Sequence, residues 1–232
     1  MKLANSVVFI TGANRGLGLA YAKAALAAGA KKVYAAAREA SSITLPGVTP
    51  IALDITNSEQ IAAAVAAAPD VTILINNAGI SLKSDLLGNP DALANARAEF
   101  ETNFYGPWAL TAAFAPLLKA NGGGAVVNVL SALTWISFPS VATYSASKSA
   151  AWSLTNGLRN ALRAQGTLVT AVHVGYMDTD MTAGLDAPKA SPTDVARVTF
   201  DGIEAGQFEV LADETSKQLK AGLSSATPPY AN

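Results

Sequence analysis

Residues 7–18 read VVFITGANRGLG, an apolar run that ends in a glycine-rich turn, and an alanine-rich stretch follows. The first five residues are β-branched or apolar, which is typical of a strand covered on both faces. Glycines let the backbone turn sharply, and the N-terminus of a following helix favours a bound phosphate. This order of strand, glycine turn and helix predicts the first unit of an α/β fold.

The spacing of the glycines distinguishes this turn from two common nucleotide-binding motifs. Gly12, Gly16 and Gly18 do not fit G-x-G-x-x-G, and the turn lacks the Lys-Ser/Thr of a P-loop. Its place between the first strand and the first helix favours phosphate binding. A purely structural turn stays open as the alternative.

Strand-like and helical runs alternate along the rest of the chain. The predicted strands are Val7–Thr11, Val33–Ala37, Thr49–Leu53, Val71–Asn76, Ala125–Leu130, Leu168–Val174 and Phe208–Leu211. The predicted helices are Leu17–Ala28, Ser58–Ala68, Asp91–Lys119, Ala142–Gln165 and Thr193–Ala205. Pro107 and Pro116 are expected to kink or divide the longest helix. The alternation predicts a doubly wound, parallel, seven-stranded α/β sheet of Rossmann type in a single domain, residues 1–232.

Composition and charge argue against several classes of protein. Half of the 232 residues are hydrophobic, 14% are charged and the net charge is −1. There is no basic stripe for nucleic acid, and no apolar run approaches the ~18 residues of a membrane span. The chain passes directly into its first strand, which predicts no signal peptide and a cytoplasmic protein.

Cysteine and histidine usage limits the possible chemistry. The chain has no cysteine, which excludes disulfides, thiol catalysis and cysteine-ligated metals, and its only histidine is His173. A zinc-dependent alcohol dehydrogenase therefore cannot be built here. A Ser-His-Asp hydrolase would need His173, which lies in an apolar run and is interpreted as a structural residue.

A tyrosine and a lysine four residues apart supply the strongest chemical signal. Tyr144 and Lys148 belong to the run YSASK, and Ser131 lies thirteen residues before the tyrosine. On a helix an i,i+4 pair shares one face. An ammonium beside a phenol favours the phenolate, so we expect Lys148 to lower the pKa of Tyr144. Such a pair can move a proton to or from an oxygen.

Together these features resemble the short-chain dehydrogenase/reductase (SDR) family, of the carbonyl reductase and alcohol dehydrogenase type. The resemblance runs from residue 7 to about residue 180. Thr11–Gly18 is similar to the family's cofactor turn, and Asn76-Asn77-Ala78-Gly79 to its second signature. Asn103, Ser131, Tyr144 and Lys148 match its four catalytic positions in order.

The resemblance implies a role for each of these four residues. Tyr144 would pass a proton to or from the substrate oxygen, and Ser131 would donate a hydrogen bond to that oxygen. Lys148 would hold the nicotinamide ribose, and Asn103 a water that links Lys148 to a proton relay. Two alternatives stay open: Ser131 caps the end of the fifth strand, and Asn103 bonds a neighbouring backbone group.

The resemblance also implies a dinucleotide cofactor and its contacts. The implied cofactor-binding residues are Gly12, Asn14, Arg15, Gly16, Leu17, Gly18, Arg38, Asp54, Ile55, Asn77, Ala78, Gly79, Tyr144, Lys148, Gly175 and Thr179. The second strand ends in Ala37 instead of an acidic residue, and two guanidiniums, Arg15 and Arg38, suit a 2′-phosphate. NADP(H) is therefore predicted, and no metal. Solvated surface arginines remain the alternative.

One departure from the family lies after the sixth strand, where Val174-Gly175 replaces the usual Pro-Gly. The missing proline removes a restraint on φ, so the path of the next loop is open. After the seventh strand the sequence indicates a polar tail beginning at Ala212-Asp213.

The predicted substrate side is apolar. The residues expected to line it are Leu133, Trp135, Phe138, Tyr176, Met177 and Met181, with Leu82 and Leu185 nearby. Core packing is the alternative for each of them. Residues 176–190 are predicted to form a lid.

These observations predict an NADP(H)-dependent oxidoreductase for a hydrophobic ketone or secondary alcohol, assembled as a homodimer or homotetramer. The alternative from another class is a catalytically idle NADP-binding regulator or scaffold. An enoyl reductase of the divergent branch would separate Tyr and Lys by seven positions, and an epimerase or dehydratase would need more C-terminal sequence.

Overall fold

The computed structural model, which describes residues 2–231, contains a sheet of seven parallel strands. The strands are β1 (Val7–Thr11), β2 (Lys32–Ala37), β3 (Thr49–Ala52), β4 (Ile73–Asn76), β5 (Ala125–Val129), β6 (Leu168–His173) and β7 (Glu209–Leu211). Their order in the sheet is β3-β2-β1-β4-β5-β6-β7. The direction of winding reverses between β1 and β4, so a crevice opens there at the carboxyl ends of the strands.

Helices cover both faces of this sheet. They are α1 (Gly16–Ala27), α2 (Ser58–Ala67), α3 (Ala92–Phe100), α4 (Gly106–Ala120), α5 (Ala142–Leu162), α6 (Pro192–Glu204) and α7 (Glu214–Gly222). Alternate β1 residues face opposite sides, so Val8 and Ile10 belong to one apolar cluster, and Val7 and Phe9 to the other. The predicted doubly wound, seven-stranded fold is therefore confirmed. In residues 2–231 no helix is long and apolar enough to cross a bilayer.

The helix predicted at 91–119 differs from the prediction in how it is divided. α3 leads into a π-helical segment at Glu101–Tyr105 and then directly into α4. Pro107 lies two residues after the π-helical segment, where it has no N–H to donate to a carbonyl of the preceding turn, and Pro116 lies inside α4. The wider π turn interrupts the regular helix directly before Pro107, close to the place where the sequence predicts a kink or division.

The interpretation of the C-terminal region as a polar tail is wrong for residues 214–222, which form α7. Asp213 caps this helix by accepting a hydrogen bond from the Ser216 backbone N–H, and the Ser216 side chain interacts with the Asp213 backbone in return. The sequence ETSKQLKAG has few apolar residues, so the helical periodicity that revealed the other helices is weak here.

Candidate active site

The four predicted catalytic residues lie at the carboxyl edge of the sheet. Ser131 follows β5 by two residues, and Tyr144 and Lys148 lie in the first two turns of α5. Asn103 lies in the π-helical segment between α3 and α4. Carboxyl ends of parallel strands meet at one edge, so residues distant in the sequence come together beside the glycine turn after β1.

Lys148 is deeply buried beside the tyrosine. Its side chain is 5% exposed, and its Nζ donates a hydrogen bond to the backbone carbonyl of Val129 at 2.9 Å. The Nζ lies 5.7 Å from the ring centre of Tyr144. Burial lowers the pKa of Lys148 to about 8. A Cβ on Gly79 would lie 3.5 Å from this Nζ and 3.1 Å from Asn103 Oδ1, so glycine permits the close approach.

The pKa of Tyr144 moves in the opposite direction from the one predicted. Burial raises it to about 12, the neighbouring Ser131 side chain lowers it by a smaller amount, and the charge of Glu99 raises it further. The predicted lowering by Lys148 is therefore wrong in this structure. Burial is the largest influence on the pKa of the phenol, and the Lys148 ammonium, bonded to the Val129 carbonyl, does not offset it.

Ser131 caps a short turn and also lies beside Tyr144. Its Oγ accepts a hydrogen bond from the Leu133 backbone N–H at 3.1 Å and caps a short 3-10 turn at Ala132–Thr134. The hydroxyl still has its proton to donate. The capping alternative and a role beside Tyr144 are thus compatible.

The carbonyl of Ser131 is held by the chain's histidine. His173 is fully buried, and its Nδ1 lies 3.2 Å from that carbonyl oxygen, which can only accept a hydrogen bond. Burial lowers the pKa of His173 to about 4, so the ring is neutral near pH 7. Trp135, predicted to line the substrate cleft, is 9% exposed and stacks on His173 with ring centres 4.1 Å apart. The structure therefore supports core packing, the alternative interpretation of Trp135.

The side chain of Asn103 is largely occupied by protein partners. Its Oδ1 accepts from the Ile80 N–H, and its Nδ2 donates to the Ile80 carbonyl and to Ser147 Oγ, each at 2.9 Å. The backbone-bonding alternative is therefore present. A cavity of about 10 Å³, close to the volume one water needs, is lined by Asn103, Lys148 and Asn76. Among residues 2–231 the buried Oδ1 of Asn76 has no hydrogen-bond partner.

The glycine turn fits a bound pyrophosphate. Gly12 and Gly16 have φ of +63° and +53°, and a Cβ on Gly18 would lie 2.1 Å from the Gly12 carbonyl oxygen. Asn77 Nδ2 donates to the Thr11 carbonyl at 2.9 Å, and this hydrogen bond holds the turn to the residue that follows β4. Within the described residues, the side chain of the N-cap residue Arg15 does not cap α1, so the first N–H groups of the helix can bind an anion.

The other predicted cofactor residues divide between backbone and side-chain positions. Leu17 and Ile55 are buried in the two apolar clusters, so their side chains serve packing. Hydrogen bonds from the backbone and hydroxyl of Thr56 lower the pKa of Asp54, and Arg38 lowers it further by a smaller amount. Arg38 is exposed directly after β2. Ala78, whose backbone N–H donates to Thr11 Oγ1 at 3.0 Å, and Asn14 are half-buried at the turn.

Arg15 forms an ion pair with an acidic side chain of the predicted lid. Its Nη1 lies 2.9 Å from Asp180 Oδ2, in the predicted lid, and both side chains are exposed. Arg38 directly follows β2, and the Arg15 ion pair joins the glycine turn to the 176–190 segment. Thr179 also reaches this turn, with its Cγ2 3.3 Å from the position of a Cβ on Gly16.

The remaining substrate-side residues differ in exposure. Phe138, Tyr176 and Met181 are exposed by 47%, 42% and 44%, and Leu133 is half-buried. Met177 packs against the core cluster that includes α1 and α6. The exposed three are free to contact a ligand, whereas Met177 mainly supports the fold.

Sequence reasoning missed several polar residues that support the site. Asn76 donates to Asn128 Oδ1 at 2.8 Å, and Asn128 donates to Thr155 Oγ1 at 2.9 Å beneath the site. Glu99, fully buried, accepts from the Leu82 N–H at 2.7 Å. Only Asn76 carried a sequence signal, because it belongs to the second signature.

These features define a class of protein. It is a doubly wound α/β protein whose glycine turn is suited to bind a phosphate, and beside that turn lie a serine, a tyrosine and a lysine that can transfer a proton. A family model described as short chain dehydrogenase matches residues 6–190. The chain belongs to the short-chain dehydrogenase family.

Individual relatives agree with this assignment. A short chain dehydrogenase from Burkholderia cenocepacia J2315, solved in complex with NADP, is 39% identical, with a TM-score of 0.92 over 97% of this chain and 95% of that one. Dehydrogenase/reductase SDR family member 7B from Mus musculus is 33% identical over 90% of this chain and 73% of its own. The short chain dehydrogenase tazN from Aspergillus terreus is 32% identical over 81% of this chain, but the match spans only 44% of tazN.

Proposed function

We propose that this chain is an NADP(H)-dependent oxidoreductase that interconverts a hydrophobic ketone and its secondary alcohol. The observation that carries the proposal is the meeting of Ser131, Tyr144 and Lys148 beside the glycine turn. Bound dinucleotide would supply or accept the hydride. The cofactor and substrate sites would share one domain, with residues 176–190 as the lid.

The side chains divide the remaining work. Tyr144, with its pKa raised to about 12, is protonated at neutral pH and suited to donate a proton to a carbonyl oxygen. The Ser131 hydroxyl donates a hydrogen bond to the same oxygen as negative charge grows on it. Lys148 orients the ribose of the cofactor, and Asn103 holds the backbone after β4 against α5 through Ile80 and Ser147.

Charge supports the choice of NADP(H). Arg38 follows β2 and is exposed, and Ala37 removes the carboxylate that would repel a 2′-phosphate. The relative from Burkholderia cenocepacia was solved with NADP. The free N–H groups of α1 and the glycine turn would hold the pyrophosphate.

The proposed substrate class rests on exposed apolar side chains, as does the proposed oligomeric state. Phe138, Tyr176 and Met181 are exposed and carry no charge, which favours a hydrophobic substrate.

Tyr105 and Trp108, 48% and 46% exposed at the start of α4, support a homodimer or homotetramer formed through the long helices. Light scattering that gives a clean monomer mass would overturn the proposed homodimer or homotetramer.

The test follows oxidation of NADPH against aliphatic, aryl and bulky ketones, with NADH as the comparison cofactor. Tyr144→Phe keeps the ring and removes the proton donor, so turnover should fall by a factor of about 100 or more while NADPH still binds. Equal turnover by Tyr144→Phe would refute the assigned chemistry. NADPH binding with no turnover of any ketone would overturn the proposed substrate class or favour the idle regulator.

A further inference from the structure

The carboxylate of Asp213 joins two parts of the chain beyond the end of β7. Its Oδ1 accepts a hydrogen bond from the Ser216 backbone N–H at 2.8 Å and caps α7. Its Oδ2 accepts a second hydrogen bond from the Gly175 backbone N–H, also at 2.8 Å. One side chain therefore holds the N-terminus of α7 and the backbone just after β6.

Gly175 precedes a loop whose ends are closed on each other. The Ala190 N–H donates to the Tyr176 carbonyl at 2.8 Å, and the Asp178 N–H donates to the Ala190 carbonyl at 3.0 Å. These two bonds form a neck for the 176–190 loop. A Cβ on Gly175 would lie 2.8 Å from Asp213 Oδ2, so a larger residue here would require the carboxylate to shift.

Beyond the neck, the loop reaches the glycine turn after β1. Thr179 lies against Gly16, and Asp180 pairs with Arg15 at 2.9 Å. This ion pair is about 70% exposed on both sides, and such pairs contribute little to holding a loop in place. The position of this wall of the cofactor groove therefore depends mainly on its neck.

We infer that Asp213 is a positioning residue for cofactor binding, because it fixes the neck of the 176–190 loop through the Gly175 N–H. Val174 lacks the ring that fixes φ in a proline, although it is buried and its carbonyl accepts a hydrogen bond from the Ala132 N–H at 2.9 Å. The charge-assisted hydrogen bond that Asp213 accepts from the Gly175 N–H holds the backbone at the next residue. The part of this inference that concerns the cofactor rests on the proposed function.

Two substitutions distinguish the role of Asp213 at the neck from its role as the cap of α7. Asn caps helices about as well as Asp, so Asp213→Asn keeps α7 capped, but its NH₂ cannot accept the Gly175 N–H. Ser216→Ala is the matched control. It removes the hydroxyl that bonds the Asp213 backbone and leaves the carboxylate on Gly175.

The first measurement is amide hydrogen exchange over residues 175–183 in the protein alone. Losing one hydrogen bond to a charged group should speed exchange about tenfold in Asp213→Asn relative to Ser216→Ala. The second measurement is the NADPH dissociation constant from cofactor fluorescence. It should rise about tenfold in Asp213→Asn and change less than about twofold in Ser216→Ala.

Equal exchange over residues 175–183 in the two variants would overturn the inference. Faster exchange in Asp213→Asn with an unchanged NADPH dissociation constant would overturn its cofactor part. If NADPH does not bind the unsubstituted protein, the proposed function fails, and the exchange comparison still decides whether Asp213 holds the neck.

Discussion

Replacing Lys148 by methionine should remove a pH-dependent penalty on the folded state. Lys148 is 5% exposed, and burial lowers its pKa from 10.5 to about 8. The unfolded chain therefore binds this proton more tightly, so the penalty is full below the folded pKa and fades as the pH rises towards the unfolded value. The difference of about 2.5 pKa units corresponds to about 3 kcal/mol.

Urea unfolding of both proteins at about pH 6.5 and about pH 9.5 measures this effect. The wild-type protein should gain about 2 kcal/mol relative to Lys148→Met over that interval, because the group is largely neutral in the folded protein at the upper pH. The lost hydrogen bond to the Val129 carbonyl adds an offset that does not vary with pH. Lys119→Met, at the exposed end of α4, is the matched control. A difference between wild type and Lys148→Met that stays constant with pH would refute the reasoning.

Gly18→Ala should abolish binding of NADPH, since its Cβ would lie 2.1 Å from a carbonyl oxygen of the turn. Gly157→Ala, in open space on α5, should instead stabilise the protein by about 0.5–1 kcal/mol, and titration calorimetry with urea unfolding distinguishes the two. Asn103→Ala should lower the free energy of unfolding by about 2–4 kcal/mol because three hydrogen bonds, one buried and two part-buried, are lost. A loss below about 1 kcal/mol would contradict this. Arg38→Gln should weaken NADPH binding about tenfold and leave NADH unchanged, and equal weakening of both would contradict the 2′-phosphate assignment.

Much of the fold could be predicted because its signals are local. Each of the seven strands lies within two residues of its predicted limits, since apolar runs bounded by turns mark buried parallel strands. The glycine turn was recognisable for the same reason. The π-helical segment around Asn103 and the polar helix α7 were not predicted, because neither produces a distinct hydrophobic period.

The sequence by itself determined the alternation of strands and helices, the glycine turn and the i,i+4 spacing of Tyr144 and Lys148. Periodicity and spacing along the chain are enough for these. The tertiary structure alone decided that Tyr144 has a raised pKa and that Asp213 holds Gly175. A pKa depends on desolvation and on neighbouring charges, and Asp213 is 38 residues from its partner in the sequence. Such effects exist only once the packed chain has excluded water and brought distant groups together.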